Sequence, residues 1–254
     1  MMRTARSITL LVALLAVAAC APAPVVTPPQ PAIGAAAVSH TVIGGDLEED
    51  AEIAAMVAPY RERLEAEMLE VIATASFEIT KQGEFESPLG NLAADAMLVM
   101  AEQTTGETYD LAVGNAGGLR VPISEGPVTR GAVFELMPFD NYIVVQRMSG
   151  VQVDSLAQQL AAIGGEPVAG FSFAVTPDRR AVDIAVRGEL LDLDREYQVV
   201  THNYLAYGGG DMPALWAPLD RTELPVPLRD AFIEYFRQQG TLAPRIEGRI
   251  RSAD

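Results

Sequence analysis

Apolar and polar positions divide the chain into unlike stretches. Ile8 to Ala19 carries no charge and follows Arg3 and Arg6. A basic start, a short apolar run and small residues before Cys20 predict an export signal over 1–19, too short to span a membrane as a helix of about 20 residues. Residues 21–39 hold five prolines and no charge. Such a stretch stays extended and buries no core, so 20–46 is expected to be a tether. Beyond it the period changes. Ile53, Met56, Val57, Tyr60, Leu64, Met68 and Val71 recur at three- and four-residue spacing, which predicts an amphipathic helix over 47–72, kinked or divided at Pro59.

Residues 73–254 mix the two periods. Ser87 and Pro88 open a helix with Leu89, Leu92, Ala93, Ala96 and Met97 on one face. Short β-prone runs at 111–113, 142–146, 171–175, 182–186 and 197–201 predict strands, and further helices are expected at 151–163 and 227–238. No repeat of fixed period and no long linker interrupts this part, so one α+β domain is expected.

Composition narrows the chemistry. The 254 residues carry 34 acidic against 18 basic side chains, a net charge of −16. No basic stripe offers itself to a nucleic-acid backbone, so no nucleic acid is expected as a partner. Lys81 is the single lysine, which excludes a Gly-Lys phosphate loop. Cys20 is the single cysteine. It precludes an internal disulfide, and its place after Val17-Ala18-Ala19 resembles a bacterial lipobox. Lipidation at Cys20 would make this an exported protein anchored in the cell envelope by its lipid, facing the periplasm. With only His40 and His202, the chain cannot build a two-metal hydrolytic centre, and no Gly-x-Ser-x-Gly elbow supplies a serine nucleophile. No catalytic residue, metal ligand or cofactor is therefore assigned to this chain.

Three turns remain as candidate binding elements. Gly114-Asn115-Ala116-Gly117-Gly118-Leu119-Arg120 follows the strand at 111–113. Its glycines allow close backbone approach, and Asn115 and Arg120 supply directional donors, although a plain tight turn has the same look. Pro138-Phe139-Asp140-Asn141 precedes the next strand, where Phe139 could equally belong to the core. Asn203 to Asp211 contains Tyr204, then three glycines and a carboxylate, as in a loop that folds tightly around something.

Taken in order with the helix start Glu86 to Met97, these turns resemble the C-terminal domain of the 5'-nucleotidase family, from about Asp46 to Ile250. The resemblance implies a mixed sheet with flanking helices, preceded by the helix that joins the two domains in full-length members. It implies that Phe139 and Tyr204 sandwich a base, that Asn115, Gly118, Arg120 and Asn141 contact the nucleotide, and that Asp211 takes the ribose hydroxyls. The chain departs from the pattern in its third consecutive glycine before Asp211 and in Met212 after it. The metallophosphoesterase domain that carries two metal ions in the family has no counterpart before residue 47. Three readings follow: a nucleotide-recognition domain acting with a separately encoded metallophosphoesterase that holds the divalent metals, a stand-alone nucleoside- or nucleotide-binding lipoprotein, and a degenerate structural domain.

Overall fold

The computed structural model describes residues 49–253. The export signal, Cys20 and the Pro-rich tether lie outside the described residues.

Helix α1 spans Ala51–Met68 as one element, capped by the Asp50 carboxylate, which accepts from the Glu52 and Ile53 N–H groups. Two expectations are corrected here. The helix is shorter than 47–72, because Val71–Ala75 forms strand β1. Of the two outcomes expected at Pro59, division is excluded, since the helix runs through it as one element. Proline removes the N–H that would bond the Ala55 carbonyl, and on a helix with no buried residue water can satisfy that oxygen. Ile53, Met56, Tyr60 and Leu64 are all exposed.

The centre of the domain is a five-stranded mixed sheet in the order β10-β4-β9-β2-β5. Its strands are β2 (Leu111–Val113), β4 (Tyr142–Ser149), β5 (Val168–Ala169), β9 (Glu196–His202) and β10 (Asp220–Pro227). β9 runs parallel to β2 and antiparallel to β4. Both faces of this sheet are covered. Leu111, Val113, Tyr197 and Val199 enter one core with Leu156 and Leu160 of α4 (Gly150–Ile163) and Phe171 and Phe173 of β6 (Phe171–Val175). Ala112, Ile143, Val145 and Val200 enter the other, with Leu89, Leu92 and Met97 of α2 (Pro88–Thr105) and Phe232 and Phe236 of α6 (Leu228–Gln239). A strand buried on both sides needs no polar alternation, which is why 111–113 and 143–145 look uniformly apolar in the sequence.

Local chemistry sets where the helices begin and end. The Ser87 hydroxyl accepts from Gly90 N–H, with Pro88 at the first helical position, and α2 stops at Gly106 in the left-handed region. Ser149 and Gln152 form a reciprocal capping box on α4. Glu86, just before α2, is a buried carboxylate. It accepts from Asn91 Nδ2 at 2.5 Å and from the Glu247 N–H at 2.6 Å, while Asp95 makes two bonds of 2.8 Å to the Arg249 guanidinium. The helix start 86–97 is thus a clamp for the C-terminal segment. Its polar side chains bind the chain to itself.

Candidate functional site

Because β2 and β9 are parallel and β4 is antiparallel to β9, the C-terminal ends of the first two meet the N-terminal end of the third. Ile143 stands opposite His202 in the ladder. Three connections therefore emerge side by side: the 3-10 turn Ala116–Gly118 after β2, the short helix α5 (Asn203–Ala206) after β9, and the loop 137–141 before β4. This is where mixed α/β sheets place ligands, since backbone ends and loop side chains converge there.

The three connections enclose a cleft of about 370 Å³ lined by Asn115, Gly117, Gly118, Arg120, Phe139, Asn141 and Tyr204. The volume is within the range of small-molecule sites. Phe139 and Tyr204 are 43% and 51% exposed, so neither ring is spent on the core. Arg120 donates to the Gly117 carbonyl at 3.0 Å, and its guanidinium carbon lies 6.0 Å from the Phe139 ring centre. Among the described residues Arg120 forms no salt bridge, and it is the only charged residue in the lining. In a chain of net charge −16 that cation is available to an anionic ligand.

Six of the seven side chains or backbone positions expected from the sequence line this cleft. Asp211 does not. It is exposed and stands outside the lining. Two of the three glycines before it answer to packing within the protein. A Cβ on Gly209 would lie 2.6 Å from the Tyr204 ring, and one on Gly210 would lie 3.0 Å from Leu205. Met212 is buried in the core. The turn closes around Tyr204 and Met212, which directs the Asp211 carboxylate to solvent.

Residues given no role at the site from the sequence hold the cleft from behind. Arg229, on α6, donates from Nε to the Met137 carbonyl at 2.8 Å and from Nη2 to the Phe139 carbonyl at 3.1 Å. The Leu228 N–H donates to the Asn141 carbonyl at 2.8 Å. Together they pin the loop that carries Phe139 and Asn141. Glu166 accepts from the Ala116 N–H at 2.6 Å, and Lys81 donates to the Ala116 carbonyl at 3.3 Å, so the 3-10 turn is gripped on both sides of Ala116. Burial raises the Glu166 carboxyl above its ordinary range, and the Ala116 N–H and Lys81 oppose that shift. His202, 1% exposed, has its Nε2 3.0 Å from Asn115 Oδ1. Its ring is stacked at 11° on that of Tyr204, with centres 6.2 Å apart. Only its position at a strand end, two residues before Tyr204, could have drawn notice; Arg229 and Glu166 are too distant in sequence to give any signal.

The family model for the 5'-nucleotidase C-terminal domain matches residues 66–216, more than half of the chain. This chain belongs to that family. It is 30% identical to the trifunctional nucleotide phosphoesterase protein YfkN of Bacillus subtilis over 182 residues, which is 65% of this chain and 12% of YfkN. It is 32% identical over 123 residues to protein UshA of Escherichia coli K12, covering 46% of this chain and 22% of UshA. The solved 5'-nucleotidase precursor of Thermus thermophilus superposes with a TM-score of 0.68 at 28% identity, over 77% of this chain and 42% of that one. The chain thus spans less than half the length of each of these relatives. The family's C-terminal domain shares the mixed α+β fold seen here, and the cleft lies within the matched residues.

Burial lowers the His202 imidazole from its ordinary 6.5 to about 4. Above pH 6.5 the ring is neutral in the folded and the unfolded chain alike. Between 6.5 and about 4 only the unfolded chain takes up the proton, so stability falls by roughly 3 kcal/mol across that window and no further from this group below it. Urea unfolding at a series of pH values should show this limb in the wild type and a flatter one in His202→Phe. Parallel curves for the two proteins would remove His202 from the acid response.

Proposed function

We propose that this chain binds the nucleoside part of a nucleotide between Phe139 and Tyr204 and serves as the recognition domain of a 5'-nucleotidase-type hydrolase in nucleotide breakdown. The observation that carries the reading is the convergence in a single cleft of two exposed aromatic rings, two asparagines, two glycines and one arginine that forms no salt bridge among the described residues. Ring faces stack on any base and tolerate its identity, the asparagine amides supply hydrogen bonds, and Arg120 attracts the phosphate. Membership of the nucleotidase family supports the same ligand class. Among the described residues no three His, Cys, Asp or Glu gather as a metal site, and we assign bond cleavage and the divalent metals to a separately encoded metallophosphoesterase. Its contact surface would be the rim of the cleft beside Arg120, since the scissile phosphate must reach the metals while the nucleoside is held. The contribution of this chain is then positioning, which can remove several kcal/mol from a barrier. Lipidation of Cys20 would hold the domain at the envelope surface, facing the periplasm.

Three measurements test this reading. In calorimetric titration with adenosine and AMP, Phe139→Ala and Tyr204→Ala should each weaken binding by roughly 1 to 3 kcal/mol, the loss of one stacking face; unchanged affinity in both would return the rings to a structural role. Added to a metallophosphoesterase from the same cell, the protein should raise AMP hydrolysis strongly and leave a small generic phosphate ester nearly unaffected. Equal activity with and without it, and no complex in a pull-down, would favour the free-standing binder. Fractionation of cells should find the wild type with the membranes and Cys20→Ser in the soluble envelope fraction, and identical distribution of the two would refute the anchor.

A further inference from the structure

Behind the cleft, one buried side chain touches two of its walls. The His202 Nε2 lies 3.0 Å from Asn115 Oδ1, and the imidazole backs the Tyr204 ring at an angle of 11°. An amide oxygen only accepts, so Nε2 carries the proton and donates, which leaves Nδ1 as a bare acceptor. That Nδ1 is buried with no hydrogen-bond partner. The void beside the ring, about 10 Å³, is lined largely by apolar groups such as Met97, Leu119, Met137 and Phe232, which offer no donor.

An orphaned buried nitrogen costs stability, and an apolar ring of similar size would avoid the cost. What the imidazole provides in return is its Nε2 donor. With Oδ1 engaged, Asn115 Nδ2 has no partner among the described residues, and it lies 3.5 Å from the Cβ position of the exposed Gly117, whereas Oδ1 lies 3.0 Å from that of the buried Gly118. Gly117 lines the cleft. A free carboxamide can turn over and present either its oxygen or its nitrogen to a ligand, whereas here Oδ1 is turned to the imidazole, an orientation that is hydrogen-bonded when Nε2 carries the proton.

We infer that His202 is a positioning residue that locks the Asn115 carboxamide with its nitrogen toward the cleft, so that the site recognises a hydrogen-bond acceptor such as a bare ring nitrogen of a base. The ligand class rests on the nucleoside reading above; the lock rests on the geometry alone. His202 does not touch the ligand. It acts through Asn115 and, by backing the ring, through Tyr204.

Two sets of measurements separate the lock from the ligand. In the unliganded protein, nitrogen-detected spectra of the imidazole should show the Nε2–H tautomer. The Asn115 side-chain amide should give two distinct, slowly exchanging protons that merge or broaden in His202→Phe. Titration with adenosine and its 1-deaza, 3-deaza and 7-deaza analogues, each lacking one ring acceptor, should then show the wild type binding one analogue roughly three- to tenfold more weakly than adenosine. His202→Phe should bring that ratio near one and His202→Gln, which keeps a donor, should restore part of it. At pH 7 the urea midpoint of His202→Phe should equal or exceed that of the wild type, whereas a histidine retained for structure would lower it. An Nδ1–H tautomer, an Asn115 amide unaffected by His202→Phe, equal wild-type affinity for all four nucleosides, or an unchanged ratio in His202→Phe would overturn the inference. Failure of the wild type to bind any nucleoside would overturn the nucleoside reading instead, and the spectra would still decide the lock.

Discussion

The parallel pairing of β2 with β9, Leu111 against Val199 and Ala112 against Val200, is the constraint on which the cleft depends. Two strands that run the same way end on the same side of the sheet, so the turn after one and the helix after the other must leave together. Antiparallel pairing of β4 with β9 brings a third connection to that edge from the opposite direction. The pairing survives because both faces of the sheet are covered, one by α4 and β6 and the other by α2 and α6. Exposure of either face would leave strands as apolar as 111–113 in water.

The cleft has two layers with different duties. Phe139, Tyr204, Arg120 and Asn141 face its space, and each sits on a connection with little regular structure of its own. Arg229, Glu166, Lys81 and His202 stand behind them and fix those connections through backbone carbonyls, one N–H and one carboxamide. A loop without such support would have to be ordered by its ligand at a cost in affinity. The support is unevenly priced. Arg229 and Glu166 satisfy backbone groups that need partners in any case, whereas His202 carries an unpartnered nitrogen and a depressed pKa.

Much of this was legible in the sequence. Ser87-Pro88 and the apolar run 111–113 announce a helix start and a strand, because each depends on groups only a few residues apart. A helix over 47–72 is too long at both ends, since the apolar period runs on through Val71 into β1, and an exposed helix runs through a proline without being divided. The Gly208 to Asp211 turn was read as a ligand loop. Gly209 and Gly210 answer to the close approach of Tyr204 and Leu205, contacts that no pattern of residue types reveals.

By itself the sequence determined the caps, the periods of helix and strand, the sign of the charge and the residue types gathered in three turns, all of which rest on spacing of a few residues. Tertiary structure alone decided that the turns at 115–120, 139–141 and 204 share one edge of one sheet, while Asp211 faces solvent. It also decided that Arg229, 90 residues beyond Phe139, holds its loop, and that His202, 87 residues beyond Asn115, sets its amide. Pairing of strands far apart in the chain creates those neighbours, and a side chain acquires a partner across such a distance only once the sheet has formed.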